Sequence, residues 1–292
     1  MMLPSFFCLG AQKAGTTTLH DILVQHPDIC LPKNKETKFF QSEKYGKGIK
    51  YYQKTYFKNC GKAKIAGEID PDYMYFPYVP QRIFDSLGDS VKLIFILRNP
   101  IDRAYSHYWM SVRRGHEKLS FEEALLKEPE RLESGGEFER LHFSYLDRGR
   151  YRMQIENFLR HFPQKNMNFI IFENFVKDIE STVISILDFL EVNVEVELHW
   201  NVRSNPSSTP RSTLLRDFVY RPGVLKKIGK VLLPIRGFRR FIVFEIDKMN
   251  QRPVQIPPCS GELRRDLLES FVLSEIEKLE VLLGTNLSIW KQ

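Results

Sequence analysis

Apolar runs that end in glycine, arginine or proline alternate along this chain with stretches whose apolar positions recur at helical spacing. PSFFCLG (4–10) reads as a short strand, and TTTLHDILVQHP (16–27) follows with a helical period up to a proline stop. AKIAGEI (63–69) is a second strand candidate. VKLIFIL (91–97) is apolar at nearly every position, the mark of a central parallel strand covered by helices on both faces. NPIDRAYSHYWMSVRRG (99–115) predicts a helix with Asn99 as N-cap and Pro100 at its first position. RYRMQIENFLRHF (150–162) predicts an amphipathic helix, with Met153, Ile155, Phe158 and Leu159 for packing, then MNFIIF (167–172) a strand and STVISILDFL (181–190) a helix.

Past residue 200 the pattern loosens. RSNPSSTPRS (203–212) is a polar loop, VLKKIGKVLLPIRGFRRFIVF (224–244) is basic and apolar together, and RPVQIPPCSG (252–261) is a proline-rich connection. GELRRDLLESFVLSEIEKLEVLLG (261–284) closes as a long amphipathic helix with a glycine end. No internal repeat and no linker composition divides the chain, so the expectation is one domain over 1–292, irregular over about 203–261. Repeated βα units predict an α/β fold: a P-loop-like three-layer sandwich, with a central parallel sheet flanked by helices. Such sheets bind ligands at the carboxyl ends of their strands.

Composition narrows the classes. The chain has 292 residues, 42% hydrophobic and 13% aromatic, enough for a sizeable core and against disorder. A formal charge of +7 suits an anionic ligand but is no argument for nucleic acid. Cys8, Cys30, Cys60 and Cys259 are scattered, without C-x-x-C or metal-ligand spacing, and read as reduced thiols in a reducing compartment, with no metal site. The N-terminal apolar run lacks a basic leader, and no later segment approaches the ~20 residues of a membrane span. A cytoplasmic protein is the expectation.

The chemistry begins at GAQKAGTTTL (10–19). Gly10 and Gly15 keep the spacing of a phosphate-binding loop, but the lysine is Lys13, three residues before its place in G-x-x-x-x-G-K-[ST]. Ala14, Gly15, Thr16, Thr17 and Thr18 would offer backbone and hydroxyl donors at a helix N-terminus, with Lys13 as a point charge over the anion. An ordinary strand–helix turn with surface threonines is the plain alternative. In LIFILRNPIDRAYSHYWM (93–110), Arg98 sits at the carboxyl end of a buried strand and Ser106 lies two turns into the next helix. A guanidinium fork and a hydroxyl suit a phosphate. By itself Arg98 equally suits a pairing with Asp102, and Ser106 a solvent-facing place.

Taken together, K-x-G-T-T-x-L followed by R-N-P-x-D-R-A-x-S resembles the sulfotransferases that use 3′-phosphoadenosine 5′-phosphosulfate (PAPS) and release 3′-phosphoadenosine 5′-phosphate (PAP). The resemblance extends to HPDICLPKNKETKFF (26–40), which looks like a segment ending in E-x-x-F-F, and to GEIDPDYMYFP (67–77). It also takes in YLDRGRYRMQIENFLRHFPQKNMNFIIFENF (145–175) and LEVLLGTNLSIW (279–290), and so covers most of the chain. It implies that Lys13 and the loop after it hold the 5′-phosphosulfate and that Arg98 and Ser106 hold the 3′-phosphate. Separately, by their position after a loop, Tyr151 and Arg152 would border the nucleotide. Glu36 would be the base, by likeness to glycan-type members, with Glu68 and Asp70 orienting the acceptor or Lys13. Each of these acids also suits a salt bridge to Lys33, Lys35 or Lys38.

The chain departs from the pattern in places. Ile69 and Asp70 stand where glycan-type members often have Lys and Ser or Thr, and Thr18 where cytosolic members have a Trp that stacks on adenine. The Lys-Gly-Arg loop of heparan-type members is not evident, and SSTPRS (207–212), with Arg211, stands in for it.

A shifted lysine fits a different leaving group. A sulfuryl group is less charged than a nucleotide triphosphate, so one lysine on the bridging oxygen suffices and no metal is required. A magnesium site would need an Asp ending a strand, whereas FIL runs into Arg98 and FIIF into Glu173. The expected activity is in-line sulfuryl transfer to an acceptor hydroxyl or amine of a small molecule or saccharide. A lipid headgroup and a peptide tyrosine also stay open. The alternatives are a P-loop kinase or phosphotransferase, or a non-catalytic nucleotide-binding protein on the same fold. Residues 224–244 would pack over the acceptor cleft, and Arg113, Arg114, His116 and Lys118 would form a solvated basic face. The alternative location is the Golgi, as the soluble catalytic domain of an enzyme there.

Overall fold

The computed structural model describes residues 2–202, 208–220, 243, 245–247 and 249–291. In chain order the elements are β1 (Phe6–Gly10), α1 (Thr16–Leu23), β2 (Ile29–Cys30), α2 (Gly48–Tyr56), β3 (Ile65–Ile69), α3 (Val79–Leu87), β4 (Lys92–Leu97) and α4 (Pro100–Arg114). There follow α5 (Phe121–Ser134), α6 (Glu137–His142), α7 (Tyr151–Leu159), β5 (Met167–Ile171), α8 (Phe172–Lys177) and α9 (Ile179–Phe189). Next come β6 (Ser208–Pro210), α10 (Thr213–Tyr220), β7 (Gln251–Pro253), α11 (Gly261–Leu267) and α12 (Leu273–Leu283). Among the described residues no helix is long and apolar enough to cross a membrane.

The chain divides into two compact units, the first comprising 1–103, 146–204 and 265–292. Its sheet has the order β2-β3-β1-β4-β5. All four pairings are parallel, with Phe7 opposite Glu68 and Leu93, and Phe95 opposite Phe169. Phe6 to Leu9 and Leu93 to Leu97 are wholly buried, so the two most apolar runs are the central strands, as expected of a sheet covered on both faces. The chain leaves β1 to build β2 and β3 on one side and β4 on the other. The crevice at the carboxyl end of β1, where the order reverses, is therefore the ligand position of such a sheet.

The strands and helices expected from the sequence are present, most of them trimmed by a few residues. Asn99 caps α4 as read: its Oδ1 accepts the N–H of Ile101 at 2.9 Å and of Asp102 at 3.3 Å. The closing helix runs from α11 to α12 through one wider turn at Leu268–Val272, and Gly284 ends it in the left-handed conformation. Trp290, just past it, is buried. Its Nε1 donates to Glu173 Oε2 at 2.8 Å, while Glu173 Oε1 accepts the Asn99 N–H at 3.0 Å and the Trp290 carbonyl accepts from Asn99 Nδ2 at 3.1 Å. The chain terminus thus locks the turn that follows β4.

The second unit comprises 104–145 and 205–264. Within it Glu117 is buried and accepts from Arg131 at 2.6 Å and from the Tyr145 hydroxyl at 2.9 Å. Burial would raise its pKa, but these bonds and the N–H groups of Leu119 and Lys118 hold it below the ordinary value. β6 and β7 pair antiparallel, which gives part of the polar 203–212 loop a strand. The basic apolar stretch 224–244 lies outside the described residues apart from Val243.

One expectation is overturned. Cys30 and Cys60 are joined in a disulfide, with their Cα atoms 5.2 Å apart. Thirty residues separate them, but α2 returns the chain to the end of β2, within the span that a disulfide bridges. Cys8 is a buried thiol of β1, its pKa pushed up to about 12 by burial.

Candidate active site

Between β1 and α1 the chain turns tightly. Lys13 has φ of 73° and Gly15 φ of 80°, both left-handed. That conformation costs nothing special at Gly15 but is unusual for a lysine, of a kind that clusters at ligand clamps. A Cβ on Gly15 would also lie 3.0 Å from the Phe172 ring. No side chain caps α1, which leaves its first N–H groups available to an anion. Ala14 and Thr16 are buried, while Thr17 and Thr18 are half-exposed.

Arg98 completes the loop from the side. Its Nη1 donates to the Lys13 carbonyl at 2.8 Å, and its guanidinium lies 4.8 Å from the centre of the Phe172 ring. Burial lowers its pKa, and Asp102 and Glu173 oppose that. Tyr151 is buried, and its hydroxyl donates to the Arg98 carbonyl at 2.9 Å, so it holds the backbone that carries Arg98.

The acids form a second layer, after β3. Glu68 is completely buried among aromatic rings. It accepts the N–H of Thr37 at 2.8 Å, the Tyr73 hydroxyl at 3.2 Å and the Tyr52 hydroxyl. Burial raises its pKa, and those bonds pull it back. Asp70, two residues on, accepts the Lys38 N–H at 3.0 Å. Glu68 and Asp70 stand two residues apart at the end of β3, so both reach to one side, where they grip the backbone of the ETKFF segment. The N–H groups they hold, those of Thr37 and Lys38, directly follow Glu36 in the chain. Burial drives the Asp70 pKa well above the carboxylate range, helped by Asp72, Glu36 and Glu68.

Asp72 went unread in the sequence. It bonds Arg148 Nη1 at 2.7 Å, Lys38 Nζ at 3.0 Å and Gln12 Nε2 of the loop at 3.3 Å. Burial would raise its pKa, but Arg148 and Lys38 hold it below the usual range. Arg148, also buried, lies 4.3 Å from the centre of the Tyr75 ring. The only signal for this pair was that both residues fell inside recognised segments.

Glu36 is exposed, and its Oε1 lies 3.6 Å from Lys35 Nζ. That ammonium also donates to Thr17 Oγ1 at 2.9 Å and to Thr16 Oγ1 at 3.4 Å. The candidate base and the loop are therefore bridged by a lysine that the sequence offered only as a salt-bridge partner. Ser106 and Arg211 belong to the second unit. Ser106 is half-buried on α4, and Arg211 is exposed with its N–H on the Asn250 carbonyl at 2.6 Å.

A further correction concerns the strand ends. Asp70 does follow a strand, β3, which neighbours β1. Its carboxylate, with those of Glu36 and Asp72, offers oxygens within 4.8 Å of one another, a spacing that can hold a cation. Lys38 and Arg148 already neutralise Asp72, so the donor set suits a divalent metal poorly.

Residues 3–209 match the sulfotransferase domain family. A membrane-associated sulfotransferase of Dictyostelium discoideum is 36% identical over 39% of this chain and 24% of its own length. The heparan sulfate glucosamine 3-O-sulfotransferase 3B1 of Mus musculus is 31% identical over 64% of this chain and 46% of its own. The chain thus spans less than half the length of these relatives. A solved sulfotransferase of Alicyclobacillus acidocaldarius is similar over the whole of both chains, with 25% identity and a TM-score of 0.73. The glycine turn under α1, the strand order around it and these matches agree, and the chain belongs to the sulfotransferase family.

Proposed function

We propose that the protein transfers a sulfuryl group from PAPS to a hydroxyl or amine of a saccharide acceptor. The observation that carries this reading is the bridge from Thr17 through Lys35 to Glu36, which sets a carboxylate beside an uncapped helix N-terminus. Lys13, Gly15, Thr16, Thr17 and Thr18 would hold the 5′-phosphosulfate, and Arg98 the 3′-phosphate; PAPS supplies an activated sulfuryl group on a phosphate leaving group. Lys13 stabilises charge that grows on the bridging oxygen, and Glu36 takes the acceptor proton as the new bond forms. Glu68 and Asp70 keep the base in place. Family relatives that act on heparan sulfate glucosamine support a saccharide acceptor. The Cys30–Cys60 disulfide favours an oxidising compartment such as the Golgi lumen over the cytoplasm.

The second reading is a magnesium-dependent phosphotransferase, with the acidic trio as its metal site; the pairing of Asp72 with Lys38 and Arg148 stands against it. Thermal shift separates the two. PAP should stabilise the protein in the presence of a chelator, and ATP with magnesium should not. The reverse result would replace the sulfotransferase reading. Glu36→Gln should bind PAP normally and lose roughly a hundredfold or more in turnover. If Glu36→Gln keeps turnover while Glu68→Gln loses it, the base is Glu68.

A further inference from the structure

A cavity of about 390 Å³ in the first unit lies beside the disulfide. Cys30 and Tyr56 line it together with Lys33, Asn34, Lys58 and Asn59. No described hydrogen bond or ion pair occupies Lys33, Asn34, Lys58 or Asn59, so two ammonium groups and two amides are left to a ligand. The Cys30–Cys60 bond ties the two chain segments that form the walls. One wall continues directly into Lys35 and Glu36. Three residues separate Lys33 from Glu36, at most roughly 11 Å of chain, so what fills the cavity is the near neighbour of a group at Glu36.

We infer that this cavity is a subsite for an acidic saccharide unit adjoining the one that is sulfated, a reading that rests on the proposed function. Sugar hydroxyls both donate and accept, and the Asn34 and Asn59 amides answer both. Lys33 and Lys58 match a carboxylate or sulfate on the ring, with three donors each. The Tyr56 ring, 5.6 Å from Tyr52 and held by it, offers an apolar edge for the sugar's C–H face. An acidic peptide would satisfy the lysines but leave the amides without vicinal hydroxyls.

The test is calorimetric titration of the full chain with a heparin-derived tetrasaccharide and with its desulfated, carboxyl-reduced counterpart. The acidic form should bind and the neutral form should bind at least tenfold more weakly, by about 1.4 kcal/mol or more. Lys33→Ser with Lys58→Ser, both at exposed positions, should remove that preference and leave PAP affinity unchanged. Unchanged tetrasaccharide binding by the double variant, or equal binding of the neutral form, overturns the subsite. Displacement of the tetrasaccharide by an oligoglutamate peptide at equal concentration assigns the cavity to peptide and overturns it too. Tetrasaccharide binding that needs both lysines, in a protein that ignores PAP, would uphold the subsite and remove the sulfotransferase reading instead.

Discussion

The ammonium of Lys35 donates to the hydroxyl of Thr17 across 2.9 Å, which ties the segment of the candidate base to the first turn of α1. Lys35→Ala should leave PAP affinity within a few-fold and lower kcat with a saccharide acceptor by roughly tenfold to a hundredfold, since Glu36 loses its partner beside the loop. Lys35→Arg should recover part of it. A loss seen only in KM, unrecovered by arginine, would reduce Lys35 to packing.

In the proposed reaction Lys13 would act on charge that appears only during transfer. Lys13→Ala should therefore lower kcat by about 100-fold or more and PAP affinity far less. Equal losses in both would make Lys13 a ground-state anchor.

Arg98 donates from one nitrogen to the Lys13 carbonyl, and in the proposed function its guanidinium also meets the 3′-phosphate. Losing a charge-assisted contact costs about 1.5–3 kcal/mol, so Arg98→Ala should weaken PAP roughly tenfold to a hundredfold. The analogue without a 3′-phosphate should weaken as well, by a smaller factor, because the loop loses its prop. Equal factors for both nucleotides would remove the 3′-phosphate from Arg98.

The Asp72–Arg148 pair is buried, and cutting it leaves the buried Asp72 carboxylate to the part-exposed Lys38. Arg148→Ala should cost about 3–5 kcal/mol in denaturant unfolding at pH 7. Asp72 is depressed below its ordinary 3.8 in the folded protein. The unfolded chain therefore binds the extra proton first, and the stability that Asp72 contributes is present above about pH 3.8 and lost as pH falls below it. Asp72→Asn should flatten that acid limb; an unchanged limb would show that another group carries it.

Removing the disulfide frees a long loop in the unfolded chain. Cys30→Ser with Cys60→Ser should lower stability by about 3–4 kcal/mol, read as a lower denaturation midpoint. Thiol labelling under denaturing conditions without reductant should modify two cysteines in the native protein and four in the double reduction control.

The sheet was legible because its signal is local. Phe6 to Leu9 and Leu93 to Leu97 are apolar on both faces, and only a doubly covered strand suits that. The loop was legible for the same reason, since glycine spacing around a helix start is a property of ten consecutive residues. Asn99 as a cap and Gly284 as a helix end likewise need nothing beyond their neighbours.

What depended on distant parts of the chain was decided only by the tertiary structure. Cys30 and Cys60 meet because α2 doubles back, and Arg148 meets Asp72 across 76 residues of sequence. Adjacency in sequence makes Lys35 a partner for Glu36, but its reach to Thr17 depends on how β3 holds the ETKFF backbone through Glu68 and Asp70. The sequence determined which residues could carry charge and which stretches had to be buried, because hydrophobic period and turn chemistry act over a few residues. The folded chain decided which charges face one another, because in a buried site each carboxylate must find a donor or cation, and those partners come from wherever the packing brings them.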